Sequence, residues 1–162
     1  MDGGPLVCFR GEVLPEWVDV NDHMNVSFFD RVFDAAEKVL FDELGIDEGY
    51  AGRTGYGVFR VEKFIRYEKE LRLAHKLEVR SSVLWTDQRR IHHFHEIVNL
   101  SVPARSAFCD ALSIHVDLSK RKAAMFHLDE VRQRLQDLHR RTMDGPRPPG
   151  AIARDFSKRR GA

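Results

Sequence analysis

The 162-residue sequence predicts one α+β domain in which an antiparallel sheet wraps a single long helix. Two observations carry this. Between residues 28 and 44 apolar side chains recur at steps of three and four, the period of a helix with one buried face. Between residues 57 and 118 four runs alternate apolar and polar, the period of strands with one wet side. No repeat and no second composition class interrupts this order.

The elements follow along the chain. Residues 6–14, LVCFRGEVL, read as a strand that Pro15 and Glu16 break. A polar cluster, DVNDHMN, runs from Asp19 to Asn25. The helix over 28–44 buries Phe29, Val32, Phe33, Ala36, Val39, Leu40 and Leu44, with Asn25 or Ser27 as its cap and Gly45 as its stop. Residues 46–56, with Gly49, Gly52 and Gly55, read as a loop. Strands are predicted over 57–67, 77–86, 91–100 and 106–118, with TDQRR (86–90) turning a hairpin between the second and third. Leu128, Val131, Leu135 and Leu138 mark a short final helix. The domain is expected to span 1–140. Residues 141–162 read as an extended appendage, basic through Arg147, Arg154, Lys158, Arg159 and Arg160 and interrupted by Pro146, Pro148 and Pro149.

Bulk composition narrows the function. The chain is 43% hydrophobic and 31% charged, with a net charge of +1, so a dedicated nucleic-acid binder is not expected. No apolar run approaches the ~20 residues a membrane helix needs, and the first residues lack a basic start and an apolar core, so no secretory signal is expected. Cys8 and Cys109 form no CxxC spacing and read as idle thiols in a reducing cytoplasm. Phosphate-loop, dinucleotide and serine-hydrolase motifs are missing from the sequence.

The polar cluster at the helix mouth is the candidate site. A helix N-terminus offers unpaired N–H groups and a positive dipole end, which stabilise a carbonyl oxygen becoming an oxyanion. A nearby carboxylate can attack that carbonyl or deprotonate water. Aspartate, asparagine and serine are equally the usual capping and turn residues, so the cluster alone leaves both readings open.

Asp19-Val-Asn-Asp-His23-Met-Asn25, after a strand and before a long helix, resembles the DxxGHxN signature of the 4-hydroxybenzoyl-CoA thioesterase-like hot-dog family. VEKFIRYEKE after a glycine-rich loop, and the hairpin within LWTDQRRIHHFHE, fit the same family. LPEWVDVNDHMN together with VFRVEKFIRYEKE is similar to its betainyl-CoA thioesterase group. The resemblance implies a hot-dog fold, an acyl-CoA substrate, hydrolysis to free acid and CoA, and no cofactor beyond CoA carried by the substrate. It implies Asp19 as catalytic carboxylate, His23 and Asn25 as shapers of the loop and thioester pocket, and amides of Val26, Ser27 and Phe28 as the oxyanion site. It also implies active sites between the subunits of a homodimer or dimer of dimers. The family's glycine before the histidine is Asp22 here, a second carboxylate in a position where glycine often serves positive φ.

Other residues take weaker roles. Glu62 is a second acidic candidate, or a cross-strand partner of Arg60 or Arg66. Trp17 is the best receptor for a trimethylammonium group, with Phe28, Tyr50, Tyr56 and Trp85 as further aromatics or as core. Arg89, Arg90 and Arg53 are candidates for CoA phosphates. His93 and His95 share a strand face without His92, and with no cysteine or aspartate at metal-like spacing no metal is expected. The rival readings are an acyl-CoA dehydratase on the same fold and a non-catalytic acyl-CoA-binding module.

Overall fold

The computed structural model describes residues 3–146 and Pro148. Its elements are β1 (Leu6–Glu12), a 3-10 turn (Pro15–Trp17), α1 (Val26–Glu43), α2 (Tyr50–Thr54), β2 (Tyr56–Tyr67), β3 (Lys76–Thr86), β4 (Arg90–Asn99), β5 (Ala104–Asp117), β6 (Lys122–Ala123) and α3 (Asp129–Asp144). The main sheet is antiparallel with strand order β1-β3-β4-β5-β2, and the two-residue β6 pairs with β5. This is the hot-dog layout: the sheet curls around α1.

α1 buries Phe29, Val32, Phe33, Ala36, Glu37 and Leu40. It begins at Val26 rather than Phe28, because Asn25 caps it, and Val39 lies outside the buried stripe. Gly45 adopts φ 80° and ends it, with its N–H bonded to Asp42 O at 3.0 Å. The expected loop over 46–56 contains α2. Asp47 starts that helix by accepting from Gly49 N–H at 2.8 Å and pairing with Arg53 at 2.9 Å. α3 packs against β3, with Val131 and Leu135 buried, and Arg134 reaches the C-terminal end of α1, donating to Glu43 O at 3.2 Å.

The sheet faces differ from simple alternation. Phe33 packs on His95 and Phe41 on His93, so the helix side of β4 carries Ile91, His93, His95 and Ile97. Phe94, His92 and Glu96 occupy the opposite side. On β5 the helix side carries the small residues Ala107, Cys109, Ala111 and Ser113, all buried. A bulge between Arg60 and Glu62 shifts β2 so that Arg60, Lys63, Ile65 and Tyr67 share the helix side, while Phe59 and Glu62 lie on the other.

α3 continues through Arg141 to Asp144, past the expected boundary at residue 140. Arg141 Nε donates to Gly4 O at 2.8 Å, and Gly4 N–H donates to Arg141 O at 3.3 Å. The remaining tail, including Arg147, Arg154, Lys158, Arg159 and Arg160, lies outside the described residues apart from residues 145, 146 and 148. Both cysteines are free and buried. Among the described residues no helix is long and apolar enough to cross a membrane.

Phe33 is 1% exposed at the centre of the core. Phe33→Ala should therefore destabilise the protein by about 3–5 kcal/mol in urea unfolding, the range for emptying a buried aromatic site.

Candidate active site

The path to the site begins at the 3-10 turn, which swings the chain under the helix start. Val18 and Met24 form an isolated antiparallel bridge that closes a tight loop over residues 19–23. Asp19 N–H donates to His23 O at 3.1 Å, and Asp22 N–H to Asp19 O at 3.0 Å. Met24 N–H donates to Leu71 O at 2.7 Å, and Asn25 N–H to Trp17 O at 2.8 Å. These bonds fix the loop to the rest of the fold at both ends. Asp22 turns the corner with φ 61°. That is a left-handed conformation which Asp tolerates better than most non-glycine residues.

Asn25 joins the loop to the helix. Its Oδ1 accepts from Ser27 N–H at 3.0 Å and from Ser27 Oγ–H at 2.8 Å, capping α1. Its Nδ2 donates to Asp19 Oδ2 at 3.0 Å, while Asn21 N–H donates to Asp19 Oδ1 at 2.9 Å. His23 Nδ1 stands 4.0 Å from Asp19 Oδ1. The Asn21 amide first, then the Asn25 amide and the nearby His23, hold the Asp19 carboxyl below its usual range. The group is thus a fixed anion, with a side chain 22% exposed.

The three amides expected to hold an oxyanion divide unequally. Ser27 N–H is taken by the Asn25 side chain and Phe28 N–H by Asn25 O at 3.0 Å. The cap satisfies these donors, and among the described residues only the Val26 N–H of this trio has no internal acceptor. An anionic carboxylate beside one open amide at a positive helix end can promote attack on a carbonyl and stabilise the oxyanion.

Trp17 stacks on Phe28 with centroids 5.5 Å apart and planes at 17°. The Arg31 guanidinium lies 5.1 Å from the Phe28 centroid, a cation contact that the sequence reading missed. Trp17, Asp19, His23, Asn25, Val26, Ser27 and Phe28 therefore lie together at the start of α1.

Three other candidates do not join them within one chain. Glu62 lies on the sheet face turned away from α1. Arg89 and Arg90 sit on the β3–β4 hairpin. Because β4 runs against α1, this hairpin lies toward the far end of an 18-residue helix that is about 27 Å long. Arg90 also pairs with Asp87 at 2.6 Å and lies over Trp85. Glu68, just past the end of β2, is gripped by Arg105 at 2.8 Å, which lowers its pKa. Tyr50 and Tyr56 cluster around His115 on β5, beside the β3–β4 hairpin rather than near Asp19.

Known proteins share this fold and parts of this sequence. The profile of a family described as "Thioesterase-like superfamily" matches residues 13–135. The betainyl-CoA thioesterase of Pseudomonas aeruginosa is 29% identical over 145 residues, 90% of this chain and 91% of that protein. The L-carnitine dehydrogenase/betainyl-CoA thioesterase of Rhizobium meliloti is 29% identical over 120 residues, 74% of this chain but 24% of that protein. Among solved structures, a putative thioesterase from Pseudomonas putida superposes with a TM-score of 0.77 at 27% identity, covering 93% of this chain and 94% of that one. A hypothetical protein from Staphylococcus aureus, solved with CoA, shares the fold with a TM-score of 0.79 at 16% identity, covering 85% and 86%.

Substitutions at two positions test the loop by thermal unfolding. Asn25→Ala removes the cap and should cost roughly 0.5–2 kcal/mol. Asp22→Gly should be tolerated, whereas Asp22→Val should lose about 1–2 kcal/mol, the penalty for a branched side chain at positive φ.

Proposed function

The chain belongs to the thioesterase-like superfamily, and from that premise we propose that it hydrolyses an acyl-CoA thioester to the free acid and CoA. The observation that carries this reading is the Asp19 carboxylate, held as an anion by Asn21 and Asn25 beside the open Val26 amide. Asp19 takes a proton from water as that water attacks the thioester carbon, and the Val26 N–H receives the developing oxyanion. The carbonyl re-forms, the C–S bond breaks, and the sulfur leaves with the proton as CoA thiol. Direct attack by Asp19 is the second course. It passes through an anhydride that water opens, so a single turnover in 18O water labels Asp19 only in that case. Neither course uses a metal or redox group.

The relatives named for betainyl-CoA make that thioester the first substrate to test. The face of the Trp17–Phe28 stack beside the motif suits a trimethylammonium group.

The active unit of this reading is a homodimer, or a dimer of dimers, joined along β2. β2 ends the sheet among the described residues, with Phe59 42% and Val61 52% exposed. Its end, Tyr67, packs edge-on against Phe29 of the first helical turn, which puts that edge next to the motif. Val20 and Val26 flank the carboxylate as exposed apolar residues that a second subunit would cover. Antiparallel pairing of two β2 strands brings the start of one to the end of the other. This carries the partner subunit's Arg89 and Arg90 toward Asp19, where they can meet CoA phosphates. A reducing cytoplasm suits the two free thiols.

Asp19→Asn should abolish thiol release while leaving acyl-CoA binding nearly intact; full turnover in that variant would refute the assignment. Because the Asp19 pKa is depressed, kcat/KM should hold as pH falls through the ordinary carboxylate range and drop only below it. Val61→Lys should shift sedimentation toward monomer and lower activity together.

A further inference from the structure

The core contains a polar cluster that thioester hydrolysis does not use. Glu37 on α1 and His93 and His95 on β4 are all buried, and each brings one ligand-capable atom to within 4.8 Å of the others. The outward nitrogens of both imidazoles are already bound. His95 Nδ1 lies 2.7 Å from Ser81 Oγ, and His93 Nε2 lies 2.9 Å from Ser113 Oγ. The inward nitrogens, His95 Nε2 and His93 Nδ1, face each other at 2.8 Å.

We propose that Glu37, His93 and His95 form a binding site for one divalent transition-metal ion of the zinc type, tying the middle of α1 to the centre of the sheet. The donor set is two imidazoles and a carboxylate from two elements, which suits zinc, cobalt, nickel or ferrous iron rather than calcium or magnesium. Ligating histidines usually donate their second N–H to a fixed acceptor, and the Ser81 and Ser113 hydroxyls occupy those positions here. Burial keeps both rings neutral, the His95 pKa being lowered to about 3, so each has a lone pair to offer.

Proton accounting closes without loss. One ring proton lies between the facing nitrogens when no ion is bound. On binding, both ring protons point outward to the serines and both inward lone pairs take the ion. With metal–nitrogen bonds of about 2.0–2.1 Å, the facing nitrogens must open to roughly 3.3 Å, a small rotation of two side chains. Arg60 Nε stands 3.3 Å from Glu37 Oε2. It can keep one carboxylate oxygen while the other turns to the ion. Arg60 and Lys63 bring positive charge, which Asp34 and Asp30 offset by pairing with them.

The sequence hid this site because its acid comes from another element. The legible sign was a glutamate inside the apolar stripe of α1.

The test uses the full chain, stripped of metal with chelator and titrated with Co2+. The expected result is a saturable one-to-one absorption band in the visible that Zn2+ abolishes, with Zn2+ raising the melting temperature by several degrees. Glu37→Gln preserves the side-chain shape and should weaken Co2+ binding more than tenfold. His127→Ala, an exposed histidine outside the cluster, should not change it. An absence of visible absorption in the unaltered protein would overturn the site, as would Co2+ binding indifferent to Glu37→Gln.

Discussion

One side chain, Asn25, couples the start of the helix to the Asp19 carboxylate. Its oxygen caps α1 and its nitrogen grips the Asp19 carboxylate. The same amide therefore settles where the helix starts and where the anion sits. The rest of the molecule supports that arrangement. The Val18–Met24 bridge and the Leu71 carbonyl hold the loop in place, and the sheet buries one side of the helix along most of its length. Capping limits the donors at the helix mouth: the cap takes the Ser27 amide and the first-turn carbonyl bond takes Phe28, leaving the Val26 amide for the proposed oxyanion role.

Local patterns made much of this readable beforehand. The period of α1, the stop at Gly45 and the hairpin at 86–90 depend on short-range sequence, and the structure has them. So does the motif loop, where Asp22 adopts the left-handed conformation that a glycine would otherwise supply. What the sequence did not reveal depends on pairing. The β2 bulge moves Phe59 to the opposite side from Ile65 and Tyr67, so strict alternation across it fails. The apolar side of β4, with Phe94, turned out to lie away from the helix, because Ser81, Ser113 and Glu37 supply polar company for His93 and His95 on the inside. No window along one strand contains that information. The separation of Arg89 and Arg90 from Asp19 is likewise a matter of topology, set by the direction of β4 relative to α1.

α1 carries two polar constructions of opposite kind. At its mouth a partly exposed carboxylate is held by neutral amides and stays charged. Midway along, a buried carboxylate meets Arg60 on β2 and the histidine pair on β4, and burial raises its pKa. The first is open to a substrate; the second is closed to everything larger than an ion. One helix can host both because its turns face different surroundings, a loop and solvent at the start, strands further on.

The clasp between Gly4 and Arg141 has an architectural consequence. It brings the first strand's lead-in and the end of α3 to one place, so the described fold closes on itself. Such a unit can be spliced into a longer polypeptide without prying its strands apart.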